Sequence, residues 1–275
     1  MKVRSIFGIF LLVTLLSCSN RYAERDEAND SSLAKIIVNN ELVVGVDPSI
    51  PPLSFYSGTG KIIGYDVDIA QAIADKLGVK LKLVPITVEN RIDELENRVV
   101  DYIASGFPNN EKNAERFLLS TPYLRDALVV VVLQSVSGKI PFKSFFDLRN
   151  KRIGMVADEE IVDIISRSSL YTDNSRQPYF YPRLENLLIA LDYDQIEAAV
   201  MNLLTYYSKI MKEKKPYYII GEPLIITTYS YAFRRGDDEL LKTVDLLLND
   251  MAQDGTLRAI AVKWFDADVS IVGKY

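Results

Sequence analysis

From residue 41 onward, short apolar runs alternate with segments whose apolar residues recur at helical spacing. That alternation confines the chain to few folds. Leu42-Val43-Val44-Gly45-Val46 reads as a buried strand, ended by Asp47-Pro48. Tyr65 to Leu77 reads as a helix. Ile69, Ile73 and Leu77 form one apolar stripe, Asp66 is placed to cap the start, and Gly78 closes the end. Val79 to Val84 is a second strand and Asn90 to Asn97 a short helix with Ile92 and Leu95 inward. Val99 to Ala104 is a third strand. Such a βαβαβ run builds a parallel sheet with helices on both faces.

The second half repeats the plan. Lys151 to Val156 is a strand and Glu159 to Ser168 a helix; Arg183 to Leu191 is another helix and Ala198 to Met201 another strand. One spacing recurs. Ile92, Leu95 and Asp101 stand at the same offsets as Leu188, Leu191 and Glu197. In each case an apolar helix face leads to an acidic residue and then a strand, which predicts two lobes of like topology. The apolar run Ala127 to Leu133 lies between the halves, and Tyr229 to Phe233 ends the second. If both cross between lobes, they form a two-strand hinge. Asp237 to Met251 and a last helix carrying Leu257, Ile260, Ala261 and Trp264 then return to the first lobe.

Composition narrows the chemistry. The 275 residues are 48% hydrophobic and 25% charged, which fits a folded chain of one large domain or two smaller ones. There is no His, and the one Cys is Cys18. These counts exclude a Ser-His-Asp triad, a Cys-His pair, His zinc ligation and an intrachain disulfide. The net charge of −5 gives no support to a nucleic-acid partner. No metal or cofactor is expected, and carboxylate chemistry and small-molecule binding stay open.

The N-terminus reads as an address. Lys2 and Arg4 precede an almost wholly apolar run from Ile6 to Leu16, too short to span a bilayer. It ends in Leu15-Leu16-Ser17-Cys18, which looks like the bacterial lipobox, whose Cys receives lipid. The plainer alternative is an ordinary signal peptide with a stray Cys. On the lipobox reading residues 1–17 are leader, and residues 18–35 are a lipidated Cys with a polar, flexible tether. No later segment has 18 uninterrupted apolar residues.

Several stretches then match a known family in order and spacing. They are Leu42 to Asp47 with Pro51-Pro52 and Phe55, and Gly64-Tyr65-Asp66-Val67-Asp68-Ile69-Ala70. Asp101 before Ser105-Gly106 follows, then Ser120-Thr121-Pro122-Tyr123, then Phe145 to Leu148 leading into Lys151-Arg152-Ile153-Gly154. Gly221-Glu222-Pro223-Leu224, Asp254-Gly255-Thr256 and Lys263-Trp264-Phe265 close the match. The chain resembles the family 3 extracellular solute-binding proteins, the periplasmic receptors for polar amino acids in ABC transporters. The resemblance implies an α/β, periplasmic-binding-protein-like fold of two doubly wound lobes joined by a two-strand hinge. It implies a ligand held in the cleft between them and closure on binding. Residues 36–130 with 232–275 would form lobe 1, and 131–231 lobe 2.

At the anchors of the amino-acid zwitterion the chain departs from that family. The lobe-1 Thr-x-x-Arg is replaced by Asn110 and Asn113, so a bidentate contact to carboxylate is gone. Arg116 lies one turn on and either reaches back or stays solvated. In lobe 2 a Gly-Thr-Thr is replaced by Ala157-Asp158-Glu159. Asp158 either only caps a helix or also faces the ligand and favours a cation. The Asp that pairs with the ammonium corresponds to Asn202. Ile50 and Val88 stand where aromatic residues are common, while Asp47, Glu89, Ser105 and Gly106 remain near the expected cleft. The expected ligand-binding set is therefore Asp47, Ile50, Val88, Ser105, Gly106, Asn110, Asn113, Asp158, Glu159 and Asn202.

Three functions compete. The first is a monomeric, lipid-anchored receptor in the periplasm or at the cell surface, delivering a small polar solute, amino-acid-like or cationic, to an ABC permease. The second is a ligand-free or signalling lipoprotein on the same fold. The third is an enzyme like the cyclohexadienyl dehydratases that resemble this family, with Asp158, Glu159 and Glu89 as acid–base groups. Its dicarboxylate substrate would need basic partners that the sequence does not place, so a non-enzyme is expected.

Overall fold

The computed structural model describes residues 30–134, 138–156, 165, 177–211 and 215–274. The leader, Cys18, Asp158 and Glu159 lie outside them. In chain order the elements are α1 (Ser32–Asn39), β1 (Glu41–Val46), β2 (Ser49–Ile50), β3 (Ser54–Tyr56) and β4 (Ile62–Ile63). Then come α2 (Tyr65–Leu77), β5 (Lys80–Pro85), α3 (Arg91–Glu96), β6 (Tyr102–Pro108), α4 (Glu111–Arg116) and β7 (Leu118–Leu119). The long strand β8 (Leu124–Leu133) leads to β9 (Ile153–Val156), β10 (Tyr179–Tyr181), α5 (Leu184–Asp192) and β11 (Ala198–Asn202). Next, α6 (Leu203–Thr205) continues as a π-helix over Tyr206–Met211, and β12 (Tyr217–Phe233), α7 (Asp238–Gln253) and α8 (Thr256–Phe265) end the chain.

The main sheet runs β10-β9-β11-β8-β12-β6-β1-β5, with β7 beside β12. Its two ends are built alike. β5, β1 and β6 are parallel with the first strand in the middle, and so are β10, β9 and β11. Each trio is flanked by one antiparallel strand, β12 beside β6 and β8 beside β11. The fold is the expected two-lobe, doubly wound α/β type.

The spacing repeat has a physical cause. Asp101 Oδ2 accepts the Val43 N–H at 2.7 Å, and the Asp101 N–H donates to the Val43 carbonyl at 2.7 Å. Glu197 Oε2 accepts the Arg152 N–H at 2.7 Å, and the Glu197 N–H returns to the Arg152 carbonyl at 2.8 Å. In both lobes an acidic side chain, placed just before the third strand, satisfies an orphan donor at the first. This clamp also explains one difference from expectation. The third strand of lobe 1 starts at Tyr102 rather than Val99, because Val99 and Val100 turn back onto the Glu94 carbonyl and leave Asp101 free to clamp.

The lobes meet at a waist. β8 and β12 pair antiparallel from Tyr217↔Leu133 to Tyr229↔Leu124, with a register shift between Ile220 and Ile225. β11 flanks β8 only from Leu128 onward, and β6 flanks β12 only from Tyr229 onward. Among the described strands, Arg125–Ala127 and Ile226–Thr228 pair with each other alone. Beyond the waist β8 is covered on both sides. Ala127, Val129 and Val131 enter one core with Ala199 and Met201, while Leu128, Val130 and Val132 enter another with Met155 and Val200. Two-sided burial is why this strand reads as a continuous apolar run.

In lobe 1, α2, α7 and α8 cover one face of the sheet, and α3 with Phe107 and Phe117 covers the other. Gly64 makes the start of α2 possible. With φ at 151°, it lets the Tyr65 and Asp66 N–H groups reach the Pro52 and Leu53 carbonyls, and a Cβ there would strike the Leu53 oxygen at 2.1 Å. The cap position is thus held by Gly64, and Asp66 turns inward instead of capping. The expected tether is shortened too: α1 begins at Ser32, and Asp30 accepts the Glu239 N–H of α7 at 2.6 Å.

Asp66 is fully buried among the rings of Tyr65, Tyr102, Tyr123 and Tyr231. Neither carboxyl oxygen has a hydrogen-bond partner among the described residues, and no basic group acts on it; the Tyr123 hydroxyl and the Gly106 backbone only moderate the effect of burial. Burial pushes its pKa up to about 7. Between the usual 3.8 and that value the folded state holds a proton that the unfolded chain has released, so stability falls as pH rises across this window. Asp66→Asn is expected to melt several degrees above the wild type at pH 8, with the difference vanishing near pH 4. Thermal scans across that range check it, and a constant difference would contradict it. Asp101→Ala and Glu197→Ala should each cost about 1–3 kcal/mol, the penalty of an orphaned strand donor, read as a lower urea midpoint at unchanged slope.

Candidate functional site

Parallel sheets offer ligands the region beyond the carboxyl ends of their strands. In lobe 1 that edge carries Asp47 after β1, Arg91 after β5, and Ser105 to Phe107 in β6. The register of β6 against β12 shifts between Ser230 and Ala232, and the bulge is Ser105-Gly106. Both have positive φ, 148° at Ser105 and 56° at Gly106. A non-glycine residue held there is strained by about 1–3 kcal/mol, and the surroundings must hold it.

They do so through a closed ring of hydrogen bonds. The Asp47 N–H donates to Ser105 Oγ at 3.0 Å, Ser105 and Ser54 hydroxyls bond at 2.8 Å, and Ser54 Oγ donates to the Asp47 carbonyl at 2.5 Å. Ser105 is therefore committed to the scaffold of the turn and is buried. Asp47 Oδ1 accepts both the N–H and the hydroxyl of Ser49, at 2.9 and 2.6 Å, which leaves Oδ2 uncommitted to this turn.

Arg91 completes this rim. It opens α3, half-buried, with its guanidinium 4.9 Å from the Phe107 ring centre. Burial pulls its pKa below the usual value, while the charges of Asp47 and Glu89 act the other way. Its Nε is enclosed with no hydrogen-bond partner among the described residues. Two opposite charges thus share the edge of one sheet.

The remaining expected residues divide. Asn110 caps α4, accepting the Asn113 N–H at 2.9 Å, and Asn113 Nδ2 donates to the Pro108 carbonyl at 2.8 Å. Both hold the loop. Arg116 does not reach back; it forks onto Glu96 Oε1 at 3.1 and 2.6 Å on the surface. Ile50 is half-buried against the lobe-1 core, and Val88 is 54% exposed. Gly106 packs close to Leu53 and Tyr229. In lobe 2, Asn202 ends β11 and donates through Nδ2 to Asp126 at 3.0 Å. Asp158 and Glu159 fall outside the described residues.

The sequence reading passed over Arg91, Ser54 and Asp126. Two of them carried a signal. A cation at the first position of a helix opposes the helix dipole and asks for a purpose. Asp126 stands at the head of an apolar run, on a strand whose side chains from Ala127 to Val132 are buried and apolar. Among the described residues no group of three or more acidic, His or Cys side chains could hold a metal, and no helix is long and apolar enough to cross a membrane.

The chain belongs to the bacterial extracellular solute-binding proteins, family 3, whose sequence profile matches residues 42–267. It is similar to the L-cystine-binding protein TcyJ of Escherichia coli K12, at 26% identity over 243 residues covering 88% of this chain and 89% of that one. Among solved structures, Tv2483 bound to L-arginine matches with a TM-score of 0.67 and 29% identity, over 88% of this chain and 98% of its own. The ancestral cationic amino acid solute-binding protein AncCDT-1 matches with a TM-score of 0.75 and 26% identity, over 86% and 100%.

Proposed function

We propose that this chain is the solute receptor of an ABC importer, held to the membrane by lipid on Cys18, and that it takes one amino acid between its lobes. The observation that carries this reading is the half-buried Arg91 guanidinium beside Asp47 at the carboxyl edge of the lobe-1 sheet. Asn113 and Asn202 carry no charge where the zwitterion anchors were expected, but the lobe-1 edge has charges of its own. Arg91 supplies a cation for a carboxylate, Asp47 an anion for an ammonium, and both lie where a sheet of this kind receives its ligand. The similarity to a protein named for L-cystine binding and to one whose structure holds bound L-arginine supports the same class of solute. Lobes 36–130 with 232–275 and 131–231 would close on the solute about the waist, and the permease would read the closed form. Closure follows only if the solute binds that form more tightly.

The test is a thermal-shift and calorimetric screen with L-cystine, L-arginine, L-histidine and L-glutamate. At about 1,000 times its dissociation constant a true solute stabilises by roughly 4 kcal/mol. Arg91→Ala should weaken binding about 10–100-fold, as loss of a charge-assisted bond does, while Asn113→Ala should change it little. Equal effects of the two substitutions would move the carboxylate anchor back to α4. Labelling with palmitate in cells, abolished by Cys18→Ser, tests the anchor.

A further inference from the structure

The waist contains one acidic side chain that its apolar strand does not need. Asp126 is 4% exposed and lies opposite Thr227. Its Oδ1 accepts the N–H of Ala127 at 2.8 Å and of Leu204 at 3.1 Å, and its Oδ2 accepts Nδ2 of Asn202 at 3.0 Å. Two of these three donors belong to lobe 2: the end of β11 and the start of α6. That segment touches both cores. Leu204 and Tyr207 pack into the lobe-1 core, and Tyr206 and Ile210 into a lobe-2 core.

A carboxamide has two faces, a donating NH2 and an accepting oxygen. A carboxylate only accepts. Turned the other way, Asn202 would set its oxygen against the ionised Asp126 with no proton between them, so the carboxylate form of Asp126 allows one orientation. With Nδ2 spent on Asp126, the atom of Asn202 left to meet a solute is the acceptor Oδ1. We infer that Asp126 is a positioning residue that locks Asn202 as a hydrogen-bond acceptor at the lobe-2 edge and ties that orientation to the waist. It selects a solute that brings an N–H donor to this point. The selection rests on the solute-binding reading above; the lock does not. The negative charge expected at 202 is thereby kept, one strand away, and shielded from direct contact.

The test compares the whole chain as wild type, Asp126→Asn, and the transposed pair Asp126→Asn with Asn202→Asp. Without ligand, the side-chain NH2 resonances of Asn202 are followed by NMR. Asp126→Asn should flip Asn202 and move them. With L-cystine and L-arginine as probes, calorimetry should find binding weakened at least tenfold in Asp126→Asn. The transposed pair restores a donor–acceptor match and presents an acceptor at 202, so it should recover binding to within about threefold. A residue with a merely structural role would not be rescued this way. Unmoved Asn202 resonances in Asp126→Asn, or lost binding that the transposed pair does not recover, would overturn the inference. If wild type binds neither probe, the solute reading fails, and the resonances alone still decide the lock.

Discussion

The pairing of β8 with β12 is the interaction on which the rest depends. Each strand spends one end in each lobe, and each serves as the antiparallel flank of a different parallel trio. Remove that ladder and the chain becomes two sheets with no common frame. Yet at Arg125–Ala127 and Ile226–Thr228 the ladder is only two strands wide. A narrow, regular ladder bends more readily than the cores on either side, which are packed on both faces. The strand register thus leaves one span of the ladder two strands wide between two parts of the sheet that are wider. Asp126 sits in this span and grips the segment after β11, so the waist is also where the lobes exchange side-chain contacts.

The two carboxylate clamps show how one design behaves in two environments. Burial raises the pKa of Asp101, and the nearby charges of Asp237 and Glu41 add to that against Arg234. At Glu197 burial acts the same way, but the Arg152 side chain bonds the carboxylate at 3.0 Å and the net shift is downward. The backbone geometry is shared; the charge around it is not. What the fold requires is an acceptor at that point, and either acid meets the requirement.

The fold was legible because its signals are local. Helix stripes, strand runs and the recurring acid spacing each lie within about a dozen residues, and the family motifs fall in order. The site was less legible for the opposite reason. Asn110 and Asn113 stand where anchors were sought, yet their side chains serve the loop itself. Ser105 looked available and is consumed by a ring that closes through Ser54, 51 residues away. Arg91 feels the charge of Asp47 only because β1 and β5 are neighbours in space. Asp66 satisfied every rule for a helix cap, but Gly64 took that place and left the carboxyl in the core.

The chain contains one tryptophan, Trp264. Its indole donates to Asp68 at 2.6 Å and stands edge-on to Phe55, so it is fixed within lobe 1. Lobe 2 carries phenols at Tyr179, Tyr181, Tyr206 and Tyr217. Phenols also share the indole's own body, at Tyr65, Tyr102 and Tyr123. Energy passed to the indole therefore has a constant share from lobe 1, and only the share from the phenols of lobe 2 carries the separation of the two bodies.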